Sequence, residues 1–204
     1  MFAGAAELKA FDAPIEAFPV DKFMIVTAGE VTITDAKGRV TKVAKGGSCV
    51  IPRGLSCRWS QPDDTRIFFM LYAGSSPDPT DAGELAVLVP NPKDELSPLP
   101  PPSAELLLSS PPPVTARKLV YTDPSGRFVV GMWDATAYTR KLNAIADYEL
   151  MYLTEGSVTL TNAVGESRTF GAGDTLIVDR GVSNIWKSDG YVRKIYCKVL
   201  TKNG

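Results

Sequence analysis

Short runs of β-branched, aromatic and aliphatic residues recur along this chain at intervals of roughly 8–12 residues, and turn-forming residues separate them. The two longest runs, residues 23–34 and 150–161, are each interrupted by one glycine. Shorter runs lie at 39–43, 48–51, 55–60 and 65–72 in the first half and at 166–170, 175–178, 182–187 and 191–200 in the second. Short strands at this spacing predict an antiparallel β-sandwich or barrel.

The two halves of this pattern are copies of one another. Residues 24–66 align with residues 151–193 without a gap, and 14 of the 43 pairs are identical, where ordinary residue usage would give roughly 2–4. The identical pairs include four glycines and the pair Trp59/Trp186. An offset of 127 residues is too long for a solenoid or propeller unit, so it indicates a duplicated domain.

The sequence between the copies has a different composition. Residues 74–113 contain 11 of the 16 prolines, which indicates a linker that is partly in the extended polyproline conformation. Within it, residues 85–89 and 106–108 are too apolar for a solvated spacer. We expect these two segments to lie across barrel surfaces.

The two copies differ in what precedes them. Residues 117–122 and 127–134 predict a hairpin ahead of the second copy, whereas only residues 1–22 precede the first copy. The barrel of the first copy should therefore be shorter on that side. The predicted domains are a degenerate N-terminal barrel at 1–73, a proline-rich linker at 74–116 and a C-terminal barrel at 117–204.

Composition indicates an ordinary globular protein. Hydrophobic residues make up 44% and charged residues 22%, and the net charge of −1 gives no electrostatic basis for binding nucleic acid. No run of 18 apolar residues predicts a transmembrane helix, and the first residues lack the basic and apolar regions of a secretion signal. The three cysteines do not have the spacing of metal ligands, and we expect them to be reduced, as cysteines in cytosolic proteins are. We expect a cytoplasmic protein that contacts neither nucleic acid nor membrane.

The absence of histidine limits the chemistry of the chain. Catalysis of the Ser-His-Asp and Cys-His kinds is excluded, and no phosphate-binding loop or dinucleotide fingerprint is present. Because no imidazole can stabilise its thiolate, Cys57 is a poor candidate for a nucleophile.

One glycine-rich spacing occurs in both copies and resembles a known motif. Residues Gly173 to Asn184 read GxxxxxDxGxxN, and residues Gly46 to Cys57 read GxxxxxPxGxxC. Both resemble the second conserved motif of the cupin superfamily, which ends in a metal-binding histidine. The resemblance implies an all-β bicupin, in which two double-stranded β-helix (jelly-roll) barrels lie in tandem.

A second motif is recognisable in the C-terminal copy. Glu149 and Gly156 have the spacing of the glutamate ligand and the glycine of the first cupin motif. With GMWDATAYTRK before them and Trp186 and VRKIY after them, the C-terminal copy looks most like the cupin branch that contains ureidoglycine aminohydrolase. In the first copy Lys22 stands at the glutamate position, and we expect its amine to reach solvent.

Most residues that the resemblance assigns to a metal are absent. Asn184 and Cys57 replace the histidine of the second motif, and Asn143 and Ile145 stand at the histidines of the first. Imidazole with one carboxylate suits Mn, Fe, Ni or Zn, and of that set only Glu149 remains. We therefore predict no metal and no cofactor, with an oxygen-liking ion such as calcium as the alternative.

Strand alternation groups the candidate site residues of the C-terminal barrel. Asn184 and Trp186 should share one inward face, and Glu149 and Met151 another. Aromatic walls with a few polar anchors are typical of a small-molecule site, whereas in the alternative the tryptophans fill the barrels. The predicted ligand-binding residues are Asn143, Asn184, Trp186, Trp133, Tyr138 and Met151.

Three functions fit these observations. The first is a metal-free protein that binds a small polar or anionic molecule in the C-terminal barrel. The second is an enzyme that hydrolyses or isomerises a small nitrogenous or sugar-like acid, with Glu149 as a general acid or base whose pKa is raised by desolvation. The third is a scaffold with filled barrels. Because cupins commonly pair through sheet faces, we also expect a homodimer.

Overall fold

The computed structural model describes residues 1–74 and 85–201, and the regular structure there is almost entirely β-strand. The strands of the first copy are β1 (Phe2–Leu8), β2 (Phe11–Ile15), β3 (Asp21–Ala28), β4 (Glu30–Asp35), β5 (Val40–Ala44), β6 (Ser48–Ile51), β7 (Cys57–Gln61) and β8 (Thr65–Tyr72). The later strands are β9 (Ser97–Leu99), β10 (Thr115–Thr122), β11 (Phe128–Ala135), β12 (Tyr138–Ala144), β13 (Tyr148–Glu155), β14 (Ser157–Asn162), β15 (Ser167–Gly171), β16 (Thr175–Val178), β17 (Ser183–Ser188) and β18 (Val192–Val199). A 3₁₀ turn at Ala104–Leu106 lies between β9 and β10. The predicted all-β tandem fold is confirmed.

The chain divides into two compact units. One consists of Met1–Pro90 with Tyr121–Val129, and the other of Asn91–Val120 with Val130–Gly204. The turn of the β10–β11 hairpin therefore counts with the first unit, although the hairpin precedes the second copy in sequence.

The two copies have the same sheet topology. The first copy forms the sheets β1-β8-β3-β6 and β2-β7-β4-β5, and the second forms β11-β18-β13-β16 and β12-β17-β14-β15. In the second copy β10 and β9 extend the first of these sheets to six strands. The second copy, which the extra hairpin precedes in sequence, therefore has the wider sheet.

A glycine separates the two long strands at the same place in each copy. Gly29 lies between β3 and β4, Gly156 lies between β13 and β14, and both have positive φ angles of 77° and 71°. A Cβ on Gly156 would overlap the carbonyl oxygen of Tyr191, and one on Gly29 would lie 2.8 Å from that of Asp64. Both the backbone conformation and the close approach of a neighbouring chain therefore require glycine here.

Apolar side chains fill the interior of the first barrel. Alternate residues of β3, such as Met24 and Val26, point inward and are fully buried with Trp59. The buried cluster comprises Phe18, Met24, Val26, Val31, Ile33, Val43, Cys49, Ile51, Leu55, Cys57, Trp59 and Ile67.

The apolar segments between the copies make defined contacts within their own units. In the first unit Leu85 and Val87 pack against the buried cluster, and the backbone of Leu88 bonds with Val50. In the second unit Leu107 bridges to Arg140.

Candidate functional site

The site in the second barrel is built around Glu149 on β13. Because side chains alternate along a strand, Glu149 and Met151 point to the same face, and β18 places Lys194, Tyr196 and Lys198 on that face beside them. The Glu149 side chain is only 7% exposed. A carboxylate this deeply buried requires charged or hydrogen-bonding partners.

The principal partner of Glu149 is Lys194. The Nζ atom of Lys194 lies 2.8 Å from Oε1 of Glu149 and 3.0 Å from Sδ of Met151. The same ammonium lies 5.1 Å from the ring centroid of Trp133 and 5.1 Å from that of Trp186. The lysine thus has an ion pair on one side and two aromatic faces on the other, a favourable environment for a cation.

The electrostatics of this pair differ from the sequence-based expectation for Glu149. Burial acts to raise the pKa of Glu149, but the ammonium groups of Lys194 and Lys198 outweigh it and hold the pKa below its ordinary value. Lys198 lies 3.5 Å from Oε2. Burial also lowers the pKa of Lys194, with Glu149 opposing that shift. The raised pKa that the enzyme hypothesis assumed for Glu149 was therefore wrong, because that hypothesis did not include the two lysines.

Three aromatic side chains form one wall of the site. Trp133 meets Trp186 edge to face at 5.9 Å and Tyr138 at 6.4 Å, and Tyr138 stacks on Trp186 at 6.1 Å. Tyr138 and Trp186 are buried, whereas Trp133 is half-buried. Burial raises the pKa of the Tyr138 hydroxyl well above its usual value, so this group stays protonated at neutral pH.

Arg140 and Asn184 supply a second polar group. One guanidinium nitrogen of Arg140 donates to Oδ1 of Asn184 at 2.7 Å and to its backbone carbonyl at 3.1 Å. The Nε–H of Arg140 is buried without an acceptor among the described residues, and the same holds for the indole N–H of Trp186. Each buried, unsatisfied donor is destabilising by about 1–3 kcal/mol.

The last predicted residue, Asn143, is placed differently. It pairs in register with Asn184 across β12 and β17, but its amide donates to the backbone carbonyl of Ala144 at 3.2 Å. The structure therefore brings together Glu149, Met151, Trp133, Tyr138, Trp186 and Asn184, and gives Asn143 only the backbone pairing with that group.

A cavity of about 380 Å³ opens beside this group. Asn184 lines it, together with Leu176 and Val178 of β16. Val178 pairs in register with Glu149, and Leu176 pairs with Met151. The cavity is thus adjacent to the face that carries the buried carboxylate, and its volume lies in the range of small-molecule sites.

Lys194 and Arg140 belong to the site but were not among the predicted site residues. A signal for Lys194 exists in the duplication, because its counterpart in the first copy is Ile67, which is 2% exposed. A lysine at the position of a buried isoleucine must lie in the barrel interior. No comparable signal marks Arg140.

The residues at this site do not fit the metal that cupin motifs imply. Of the expected donors only Glu149 is present, and the ammonium of Lys194 lies against its carboxylate where a metal ion would be repelled. Within 1–74 and 85–201, no group of three or more His, Cys, Asp or Glu residues could hold a metal ion.

In the first barrel the corresponding position carries Lys22. Its Nζ lies 4.5 Å from the ring centroid of Trp59 and 5.8 Å from that of Phe69. The residue is half-buried and its amine lies over these rings, so the expected exposure of the amine to solvent is only partial. Burial raises the pKa of Cys57, with Asp35 adding to the shift, which agrees with an unreactive thiol.

Two barrels with this strand order and these paired motifs define a bicupin. The EutQ-like cupin domain matches residues 16–66 and 122–196, more than half of the chain. The protein therefore belongs to the EutQ-like cupin family. No curated protein matches it. Within the described part of the chain, no helix is long and apolar enough to cross a membrane.

Solved structures show how similar the whole fold is. A protein of unknown function from Pseudomonas syringae pv. tomato str. DC3000, of the DUF861 family, is 30% identical, with 97% of this chain and 81% of that chain covered and a TM-score of 0.88. Protein Ylba from E. coli, also of DUF861, is 14% identical, with 98% and 77% covered and a TM-score of 0.54. A cupin 2 conserved barrel domain protein from Leptotrichia buccalis is 10% identical, with 96% and 81% covered and a TM-score of 0.61. The last two show the fold alone.

Proposed function

We propose that the C-terminal barrel binds a small anionic molecule, such as a carboxylic acid, without a metal ion. The observation that carries this proposal is the pair of buried donors without acceptors, Arg140 Nε–H and Trp186 Nε1–H. A ligand oxygen in reach of these groups would remove their desolvation penalty.

The charge balance of the site supports an anion. Arg140, Lys194 and Lys198 carry positive charge around the single carboxylate of Glu149. The ion pair with Lys194 neutralises that carboxylate, so positive charge remains in excess. A guanidinium also offers a planar set of donors that matches a carboxylate group.

The cavity supports a specific place for the ligand. Asn184 lines it and accepts a hydrogen bond from Arg140, which is not itself part of the lining, so the guanidinium would act on a ligand there through the amide of Asn184. Apolar side chains such as Leu176 and Phe170 line it as well, together with charged side chains of both signs, Arg168, Glu166 and Asp179. A ligand with one acidic end and a short apolar or amide body suits this lining. The resemblance to the ureidoglycine aminohydrolase branch agrees with a small nitrogenous acid.

A thermal-shift titration with acetate, malonate and acetamide tests this proposal. We expect the two carboxylates to raise the melting temperature and acetamide to have little effect. Arg140→Met should abolish the shift, while Arg180→Met should retain it because Arg180 is exposed on a turn. Equal shifts in both variants would show that the carboxylates bind elsewhere.

A second candidate is the enzyme with Glu149 as the reacting group. The buried ion pair favours it, because a carboxylate and an ammonium 2.8 Å apart could act as a base and a proton donor. If Glu149 is the reacting group, Glu149→Gln must abolish turnover, while acetate and malonate must still raise the melting temperature. Because its pKa is lowered, Glu149 would act as the base and not as the acid. The third hypothesis, a scaffold with filled barrels, is less well supported because the cavity adjoins the second site.

A further inference from the structure

A buried amide lines the cavity of the second barrel with its donor group unused. Asn184 is only 5% exposed and lines the cavity of about 380 Å³. Its Oδ1 accepts a hydrogen bond from Arg140 at 2.7 Å, and this bond fixes which way the amide is turned. Its amide nitrogen has no acceptor among the described residues. This nitrogen is therefore available to donate to an acceptor inside the cavity.

Two carboxylates line the same cavity, those of Glu166 and Asp179. Asn162 holds Glu166 in place, because its amide nitrogen donates to Oε2 at 2.9 Å and its Oδ1 accepts from the backbone N–H of Glu166 at 2.9 Å. No donor in the described parts of the chain bonds to Oε1 of Glu166. A carboxylate with one oxygen left over attracts a cationic N–H donor.

The positive charge in the lining does not neutralise Glu166. The guanidinium of Arg168 lies 4.9 Å from the ring centroid of Phe170, and both residues line the cavity. Arg168 and Glu166 are two residues apart in the sequence, but none of the ion pairs between described residues joins them. The cavity therefore presents separate positive and negative charges, which complement a ligand that carries both signs.

Strand register sets the distance between the free donor and the free acceptor. Asn184 pairs with Asn162 across β17 and β14, and the backbone N–H of Asn162 donates to the carbonyl of Glu166 at 2.9 Å. Two chain spacings, about 10 Å, therefore separate Asn184 from Glu166. A hydrogen bond at each end takes up about 3 Å, which leaves about 4 Å between the acceptor and donor atoms of the ligand. The ammonium nitrogen and carboxylate oxygens of an α-amino acid are only about 3 Å apart.

We propose that the ligand of the second barrel is a β- or γ-amino acid, with its carboxylate on the amide of Asn184 and its ammonium on Glu166. This inference rests on the carboxylate binding proposed above and adds a cationic end to the ligand. Arg140 orients Asn184 and places positive charge behind the ligand carboxylate. Leu160, two residues from Asn162 on β14, also lines the cavity and offers an apolar surface to the methylene groups.

Calorimetric titration of the intact protein at pH 7 with β-alanine, propanoate, propylamine, glycine and acetate tests the proposal. We expect the Kd of β-alanine to be at least about tenfold lower than that of propanoate, because only β-alanine pairs with Glu166. Glycine should gain less over acetate, and propylamine should give no binding heat. Equal Kd values for β-alanine and propanoate would overturn this inference and leave the proposed carboxylate site intact. Binding of none of these compounds would overturn both.

Charge-removing variants locate the ammonium of the ligand. Glu166→Gln keeps an oxygen for Asn162, so it should retain propanoate binding while the advantage of β-alanine falls to about twofold or less. Glu95→Gln should retain the full advantage, because Glu95 is exposed and outside the lining. An advantage that survives Glu166→Gln but not Asp179→Asn would overturn the assignment to Glu166. Arg140→Met should weaken both ligands equally. The wild-type series decides the ligand class without any variant.

Discussion

At the scale of single residues, the two barrels handle an interior charge in different ways. Each places a lysine amine against the same tryptophan of the repeat, Trp59 or Trp186, but from different strands. In the second barrel Glu149 occupies the position that Lys22 has in the first, and it neutralises Lys194. The first barrel has no such partner among its described residues. The duplication has therefore kept an aromatic neighbour for a cation while changing which residue carries the charge.

Removing one member of the Glu149–Lys194 ion pair should destabilise the protein more than removing both members. Lys194→Met leaves the buried carboxylate with only the more distant Lys198, so we expect a loss of about 3 kcal/mol in the free energy of unfolding. In Glu149→Gln/Lys194→Met both charges are gone, and at least half of that loss should be recovered. Urea denaturation at pH 7 measures both values. A double variant less stable than Lys194→Met would contradict the ion-pair explanation.

Lys22 should make stability depend on alkaline pH. The folded protein releases the Lys22 proton at about pH 8, whereas the unfolded chain holds it until about pH 10.5. The unfolded state therefore binds more protons across this window, and the folded state gains stability as the pH rises through it. Relative to Lys22→Met, the wild-type protein should gain about 2–3 kcal/mol between pH 8 and pH 10.5. Urea denaturation at several pH values measures this gain, Lys42→Met should show none, and a pH-independent difference would contradict the prediction.

At the scale of elements, the glycine breaks determine how one sheet continues into the next. Gly156 interrupts one long strand run so that β13 joins one sheet and β14 the other, and Gly29 does the same for β3 and β4. The two copies conserve this feature of the backbone more closely than they conserve any interior charge. The breaks are thus the elements on which the barrel geometry depends.

Alanine substitutions at two glycines of the second copy should separate strain from steric overlap. Gly156 and Gly165 both have positive φ, at 71° and 89°, but only Gly156 has a neighbour within 4 Å of an added Cβ. Gly165→Ala should lower stability by about 1 kcal/mol through backbone strain alone. Gly156→Ala should lower it by about 2–4 kcal/mol, since the overlap with Tyr191 adds to that strain. Thermal unfolding compares them, and equal losses would contradict the role of the close contact.

The strand pattern was readable from the sequence because each run ends in a turn signal. Residues 48–51, 65–72 and 175–178 are predicted and observed with the same bounds, and the other predicted strands differ by a residue or two at their ends. The direction of side chains on β18 was harder to predict. Residues on both of its faces are buried, so alternation of apolar and polar residues did not mark Lys194 as an interior residue.

At the scale of the whole molecule, the duplication predicted the tandem fold but not the chemistry of the barrels. The glycines and tryptophans that match between the two copies accompany the same backbone path in both barrels. This path depends on local sequence, which can be read within a single copy. The site depends on which strands meet around Glu149. Lys194 lies 45 residues after Glu149 in the sequence. Arg140 contacts the site through Asn184, which lies 44 residues after Arg140. Both contacts therefore arise only from the strand order. Long-range pairing of this kind is not encoded in the local pattern.

The charge distribution of the second barrel leads to a prediction about metals for the entire protein. Lys194 lies against the carboxylate that would otherwise be free to bind a divalent ion, and no imidazole is available anywhere in the chain. Dialysis against a chelator should therefore leave the melting temperature unchanged, because the cation on which Glu149 depends is covalently part of the chain. Adding Mn²⁺ or Zn²⁺ to the dialysed protein should not raise the melting temperature either. Lys194→Met should be less stable than the wild-type protein both with and without added metal. Elemental analysis of the purified protein provides the direct measurement, and one equivalent of a transition metal lost in Glu149→Gln would contradict the assignment of Lys194 as the internal cation.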